Sequence, residues 1–304
     1  MSRLLVTGGS GFVGSACIRA AIERGHEVHV VSRAGRPVPD GAMLHPWDLL
    51  TGRPVDLMEQ VRPTHLVHLA WIATPGVYWT SPENLAWVRA SLELLETFAA
   101  AGGRRAVFAG TCAEYDWTGD GVLREDSTPL RPATPYGAAK VALGSAAATT
   151  AKRLGIELVW ARLFFLYGPG EHPDRLVPHV TRQLLRGHRA DCTDGTQIRD
   201  FLHVDDAADA MMTVLESRFS GAVNIASGTG VEVRTVVRHL AEMTGGQDLL
   251  RLGARPSATN DPARLVGDVS VLVDQVGWQP RIPLTVGLEL AVEWWRKHDE
   301  LRDE

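Results

Sequence analysis

The segment Thr134-Pro-Tyr136-Gly-Ala-Ala-Lys140 carries a phenol and an ammonium four residues apart. On a helix that spacing places both side chains on one face. An ammonium beside a phenol stabilises the phenolate, so the pairing predicts a Tyr136 pKa below its ordinary value of about 10. A tyrosine tuned in this way can give or take a proton near neutral pH. Thr111, at the end of the apolar run Ala106 to Gly110, can offer a hydroxyl to the same substrate oxygen. A Tyr-x-x-x-Lys pair is common by chance on solvated helix faces. Here it gains weight from its place in the chain, downstream of a glycine-rich turn and a strand-end threonine.

That turn is Thr7-Gly-Gly-Ser-Gly-Phe-Val-Gly14, with four glycines in seven residues. It follows the apolar run Leu4-Leu5-Val6, which reads as a strand, and precedes Phe12 to Glu23, which reads as a helix. Strand, glycine turn and helix form the context of a dinucleotide site. A turn without Cβ atoms lets a pyrophosphate approach main-chain N–H groups at a helix N-terminus, where the helix dipole favours negative charge. Gly14 would bring the helix close to the sheet. A carboxylate closing the second strand would accept from the ribose 2′-hydroxyl of NAD and repel a 2′-phosphate. The second strand here ends Val30-Val31-Ser32-Arg33, with Arg36 beyond it. Two cations and a small hydroxyl predict NADP(H) in preference to NAD(H), which stays possible.

Composition narrows the class. The chain has 304 residues, 45% hydrophobic and 22% charged, enough for an ample core in one large or two ordinary domains. A net charge of -5 gives no reason to expect nucleic acid or a membrane surface. Cys17, Cys112 and Cys192 have no paired spacing and point to reduced thiols in a cytoplasmic protein. No signal peptide precedes the first strand, and no apolar run approaches a membrane span. The eleven histidines lack HExxH or CxxC companions, so no metal is expected. His65 and His68 lie in or beside a buried strand and read as structural.

Strand-like and helix-like runs alternate. Glu27 to Ser32, Thr64 to Ala70, Arg105 to Gly110 and Ile156 to Phe164 read as strands; Pro82 to Ala101 and Ala138 to Leu154 read as helices. This order predicts an α/β fold, a Rossmann-type doubly wound parallel sheet, over residues 1–165. After Phe165 the elements shorten, and 166–304 reads as a second, smaller α/β domain holding the substrate. Helices are expected over Leu176 to Arg186, Asp205 to Glu216, Val233 to Thr244 and Leu284 to Lys297. Residues 198–216 could return to the first sheet. Ligands in such sheets bind beyond the carboxyl ends of the strands, so the site should fall between the two parts.

Together these motifs resemble the extended short-chain dehydrogenase/reductase family, in its nucleoside-diphosphate-sugar epimerase/dehydratase/reductase branch. The resemblance covers nearly the whole chain. It rests on the glycine turn, on His68-Leu-Ala70, on Thr111 with Tyr136 and Lys140, on Arg162-Leu-Phe and Tyr167-Gly-Pro169, on Asp194 to Asp206, on Asn224-Ile-Ala-Ser-Gly228 and on Gly277-Trp-Gln-Pro280. It implies that Tyr136 is the acid/base, that Lys140 holds the nicotinamide ribose and that Thr111 orients the substrate oxygen. It implies cofactor contacts from Gly8, Gly11, Phe12, Val13, Gly14, Ser32, Arg33, Arg36, Asp48, Leu49, Leu69 and Ala70. Asp48 resembles the family's aspartate near the adenine. On the substrate side the resemblance implies Trp71, Cys112, Phe165, Val177 and, for the diphosphate, Arg199, with Arg255 or Arg264 as a second arginine. Trp117 also falls beside the motifs.

Departures from the family pattern narrow the reaction. Family dehydratases carry Asp-Glu directly after the catalytic threonine, because eliminating water needs an acid and a base beyond tyrosine; this chain has Cys112-Ala113. Double epimerases of the GDP-fucose-synthase type use a Cys and a His; here Cys112 is one place off and Arg175 stands in the histidine's place. The surviving expectation is NADPH-dependent reduction of a 4-keto-6-deoxy sugar nucleotide, with hydride from the nicotinamide and the proton from Tyr136. A 4-epimerase is the alternative. Phe165 and Trp87 stand where the family often has asparagines, which leaves open a non-nucleotide carbonyl substrate. A non-catalytic NADP(H)-binding sensor is the reading from another class. The small-residue face of Ala138 to Ala151 and the stripe Leu85, Val88, Leu92, Leu95 and Ala99 suggest a homodimer.

Overall fold

A computed structural model describes residues 2–33, 37–119, 121–259 and 261–298. The strands are β1 (Arg3–Thr7), β2 (Glu27–Ser32), β3 (Met43–Pro46), β4 (His65–His68), β5 (Arg105–Thr111), β6 (Glu157–Leu163), β7 (Phe165–Tyr167), β8 (Ala190–Asp191), β9 (Ile198–His203), β10 (Gly221–Ile225), β11 (Gly230–Glu232), β12 (Leu250–Arg251) and β13 (Arg264–Leu265). The helices are α1 (Phe12–Glu23), α2 (Val55–Val61), α3 (Glu83–Ala100), α4 (Pro135–Leu154), α5 (Leu176–Leu185), α6 (Val204–Glu216), α7 (Val233–Thr244) and α8 (Leu284–His298).

Seven parallel strands form the main sheet, in the order β10-β6-β5-β4-β1-β2-β3. The strands are apolar almost without interruption because helices cover both faces; Leu4, Leu5 and Val6 of β1 are all fully buried. One face packs on α1 and α6 through Ala16, Ile18, Met211 and Val214. The other packs beneath α3 and α4 through Leu94, Phe98, Leu143 and Ala147. The winding reverses between β1 and β4, and at that switch point the carboxyl ends of neighbouring strands open a crevice.

The chain returns to this sheet later than the sequence suggests. Within 198–216 only the helical half does so: α6 packs against the α1 face of the sheet, while β9 pairs with β7, β11 and β13 in a second sheet. Residues 221–225, read as part of the second domain, supply β10 to the main sheet, parallel to β6. The physical reason is Val223 and Ile225, fully buried with the main core. The remaining C-terminal elements enclose their own core of Tyr167, Val180, Leu184, Val236, Leu240 and Val292. Its helix α7 buries Val233, Val236, Val237, Leu240 and Ala241, the stripe of an amphipathic helix.

Among the described residues no helix is long and apolar enough to cross a membrane. None of their His, Cys, Asp and Glu side chains cluster in a group of three or more that could hold a metal ion.

Candidate active site

The glycine turn joins β1 to α1 at the switch point. Gly8 adopts φ +73, and a Cβ there would lie 2.7 Å from the Ala70 amide nitrogen. A Cβ on Gly14 would lie 2.2 Å from the Gly8 carbonyl oxygen. Gly11 caps α1 without any side-chain hydrogen bond, so the helix's first N–H groups remain available to a ligand. This bare cradle suits a pyrophosphate. Phe12 and Val13 follow it, half-buried, in the first turn of α1.

A buried polar chain braces the turn. Ser91 Oγ donates to the Trp87 carbonyl at 2.7 Å, so it accepts from His68 Nε2 at 2.7 Å. His68 Nδ1 is then the acceptor from Thr7 Oγ1 at 2.6 Å, and Thr7 accepts in turn from the Ala70 amide at 3.3 Å. Burial, assisted by the Lys140 ammonium, pushes His68 down to about 3, so it stays neutral. Its structural role is the one expected from the sequence. The Leu69 amide bonds to the Thr7 carbonyl at 3.1 Å and fixes the same strand end.

At the other expected cofactor positions, Ser32 Oγ lies 3.0 Å from Ser10 Oγ, and Arg33 is exposed just past β2. Arg36 lies outside the described residues. Asp48 Oδ1 accepts from the Leu50 amide at 3.0 Å, the local turn such side chains favour, and Leu49 is buried beside it.

Thr111 ends β5 and opens a capping box: its side chain accepts from the Ala113 amide while the Glu114 carboxylate accepts from the Thr111 amide. Thr134 caps α4, Pro135 occupies its first turn, and Gly155 closes it in a left-handed conformation. The helix therefore starts ahead of Ala138, the residue the sequence suggests, and includes both Tyr136 and Lys140. The Thr111 hydroxyl is close enough to Tyr136 to favour its phenolate form.

One expectation is overturned. Tyr136 is not acidified here; burial pushes its pKa up, opposed by the neighbouring Thr111 hydroxyl. Lys140 Nζ instead donates to the Ala109 carbonyl at 2.8 Å and lies 3.7 Å from the centre of the Trp71 ring. Burial brings Lys140 down to about 7, against the opposing pull of Glu114. Aromatic rings provide much of the wall around Tyr136. Tyr78, Trp79 and Trp71 meet its ring edge-on at 4.9, 5.7 and 6.5 Å between centroids. The Trp79 carbonyl accepts from the Tyr136 amide at 3.1 Å, tying this loop over the start of α4. Trp117 meets Trp79 at 6.4 Å and donates to the Cys112 carbonyl at 2.9 Å.

The substrate-side residues divide. Cys112 is buried and its thiol pushed up to about 12 by desolvation, so it stays protonated. Phe165 lies under the Arg199 guanidinium, 5.5 Å from it. Arg199 is buried; it donates to the Ile198 and Pro262 carbonyls at 2.8 Å each and pairs with Asp261. Val177 is not at the site: its side chain is spent in the C-terminal core. Arg255 is exposed, its amide bonded to the Cys192 carbonyl. Its rival Arg264 is in register with Ile198, and Leu265 with Arg199, so Arg264 projects from the opposite face of the second sheet.

Several contributors escape sequence reading. The Arg175 guanidinium lies over Tyr78, 5.3 Å from its ring centre. Glu171 is buried with Oε2 lacking a hydrogen-bond partner, and burial pushes it up to about 8 against the pull of Arg175. Glu114 accepts from Trp160 Nε1 at 3.0 and 2.9 Å and from Arg162 Nε at 2.8 Å. The run of aromatics between Trp71 and Trp79 was the available signal for the wall; nothing in the sequence marks Asp261 as a partner of Arg199.

A doubly wound sheet with a glycine cradle, beside a Thr-Tyr-Lys set, defines a nicotinamide-dependent short-chain dehydrogenase/reductase. The description of the NAD-dependent epimerase/dehydratase family matches residues 4–226. A UDP-glucose 4-epimerase of Streptomyces lividans is 31% identical over 335 residues, covering 99% of this chain and 98% of that one. The crystal structure of the UDP-glucose 4-epimerase of Thermotoga maritima with UDP-glucose aligns with TM-score 0.87 and 27% identity over 97% of this chain and 99% of that one. MoeE5 in complex with UDP-glucuronic acid and NAD aligns with TM-score 0.85 and 33% identity over 97% and 99%. The chain belongs to the NAD-dependent epimerase/dehydratase family and is an NAD(P)-dependent enzyme of the extended short-chain dehydrogenase/reductase type.

Proposed function

We propose that the protein is a nucleoside-diphosphate-sugar 4-epimerase, with Tyr136 as the proton carrier. Thr111 at the end of β5, with Tyr136 and Lys140 one turn apart at the start of α4, is the observation that carries this reading. The similarity to two UDP-glucose 4-epimerases supports it over the reductase expected from the sequence. When bound, the nicotinamide would take up and return the hydride at C4. As the phenolate, which the charge of an oxidised nicotinamide and the Lys140 ammonium would favour over the phenol present without them, Tyr136 would accept the proton of the sugar hydroxyl and give it back, while Thr111 holds the same oxygen in place. Lys140 would bind the ribose of the cofactor, the bare N–H groups of α1 its pyrophosphate. Arg199 would bind the substrate diphosphate in exchange for Asp261. The C-terminal part, 166–304 less what returns to the main sheet, would hold the sugar nucleotide.

The second reading, an NADPH-dependent reductase of a 4-keto-6-deoxy sugar nucleotide, draws on Ser32 and exposed Arg33 at the end of β2, where no carboxylate stands to reject a 2′-phosphate. One experiment separates the two. Purified protein is incubated with UDP-glucose and catalytic NAD or NADP, and in parallel with a thymidine-diphosphate 4-keto-6-deoxy sugar and NADPH. Formation of UDP-galactose without net cofactor consumption supports the epimerase; stoichiometric loss of NADPH absorbance supports the reductase. Binding of NADP(H) with neither would support the sensor. Tyr136→Phe is expected to lower turnover by about 10²–10⁴-fold with cofactor affinity preserved; full activity in that variant overturns its assignment. We assign the α3 and α4 surfaces to a homodimer contact, for which a monomeric mass in light scattering would be the contrary result.

A further inference from the structure

Lys140 is one of three lysines in the chain, with Lys152 and Lys297, and it is 4% exposed. A buried ammonium needs compensation, because desolvation favours the neutral amine. Its Nζ has the Ala109 carbonyl at 2.8 Å. It also has the face of the Trp71 indole, with the ring centre at 3.7 Å, well inside the range of a cation–π contact. The indole is fixed from outside. Trp71 Nε1 donates to Asn84 Oδ1 at 2.8 Å. Asn84 is itself buried and donates to the Tyr78 and Ser81 carbonyls at 2.8 and 2.9 Å.

We propose that Trp71 is the positioning residue of Lys140: its indole face, locked by Asn84, favours the protonated form of the buried side chain and fixes it at the end of β5. The elements around Lys140 bring few other charges to this task. Glu114, from the turn after β5, favours the ammonium. His68, from β4, is kept neutral. Tyr136, four residues earlier on α4, keeps its own proton. The balance leaves Lys140 near 7, where a modest change in its surroundings alters its charge at neutral pH. The role of the charge in holding cofactor ribose rests on the proposed function; the charge state itself does not.

The indole attracts the cation and not the free amine. An aliphatic side chain, though smaller than the indole, offers Nζ no π face and removes that attraction. Trp71→Leu is therefore expected to lower the Lys140 midpoint by about one pH unit, and Trp71→Phe by less. Lysine labelled with carbon-13 at Cε gives three signals to follow by NMR, with exposed Lys152 and Lys297 as internal controls. Lys140→Arg assigns the buried one. A Lys140 midpoint that falls in the order wild type, Phe, Leu, with the controls unmoved, supports the proposal. A midpoint that stays or rises in folded Trp71→Leu overturns it. If the Leu variant does not fold, Trp71→Phe decides: a fall supports the proposal, and no change or a rise overturns it. Titration of NADH and NADPH against pH separates this from the function. A shifted Lys140 midpoint without a matching shift in cofactor affinity leaves the Trp71 role standing and removes Lys140 from the ribose.

Discussion

Glu114 offers the sharpest test of how the site is held. Its side chain is 1% exposed and Arg162 5%. The carboxylate accepts from Arg162 Nε at 2.8 Å, from Trp160 Nε1 and from the Thr111 amide at 2.7 Å. Glu114→Ala would leave a buried guanidinium held, among the described residues, by Tyr115 alone, through the hydroxyl at 3.0 Å and the ring face. Removing one partner of a buried ion pair costs about 3–5 kcal/mol, and the orphaned Trp160 and Thr111 N–H groups put this case towards the upper end. At about 2 °C per kcal/mol for a chain of this size, Tm should fall by roughly 6–10 °C. Differential scanning fluorimetry with a urea titration measures it. A companion double variant, Glu114→Ala/Arg162→Met, removes the stranded charge and should be more stable than Glu114→Ala alone. A loss below about 1 kcal/mol in the single variant, or a double variant less stable than it, refutes the reasoning.

Two further predictions follow from distances and burial. In Gly14→Ala the new Cβ meets backbone on two sides, 2.2 Å from the Gly8 oxygen and 2.7 Å from the Gly9 Cα. Forced opening of the turn should weaken NAD(P) binding by about one order of magnitude or more, read by isothermal titration; unchanged affinity would place the pyrophosphate elsewhere. Glu171 has its pKa raised by burial to about 8 from an ordinary 4.5, so the folded state keeps a proton the unfolded chain releases. Its contribution is therefore fully present below the unfolded value and lost as pH rises through about 8. Glu171→Gln should flatten the fall in Tm across that window, and an unaltered pH profile of Tm would contradict the buried carboxyl.

The elements legible in the sequence are those whose pattern is local. Helices α1 and α7 and strand β2 begin and end where the sequence places them, because each carries its own apolar stripe or β-branched run. Strand β3 is an edge strand with Met43 and Leu44 exposed, and α2 spans seven residues; both are too short and too weakly patterned to stand out. Strand β10 is not legible locally, because its partner β6 is remote in sequence and only the tertiary pairing places it in the main sheet. The site divides in the same way. Thr111, Tyr136 and Lys140 could be selected by type and order. The direction of the Tyr136 shift could not, because it depends on burial under Tyr78, Trp79 and Trp71 from another loop. The pairing of Arg199 with Asp261 is equally non-local.

The groups around Tyr136 bear on how much proton chemistry the protein can perform. Loss of water from a sugar needs an acid and a base in addition to the tyrosine. Glu114 is the carboxylate closest in sequence to Thr111, but its oxygens are committed to Arg162, Trp160 and the Thr111 amide and face the sheet. It cannot turn towards substrate without stranding a buried arginine. Cys112 stands nearer, but a thiol pushed up to about 12 is no base at neutral pH. Tyr78 is pushed up by burial against the pull of Arg175, so it too keeps its proton. At the substrate oxygen the proton that moves is the one passed to or from Tyr136, with Lys140, near 7, as the neighbour able to exchange with it. One proton and one hydride suffice to oxidise an alcohol or reduce a ketone at one carbon. That economy favours the proposed 4-epimerase and its reductase alternative over elimination, and it ties the choice between those two to whether the reduced cofactor stays bound after the first half-reaction.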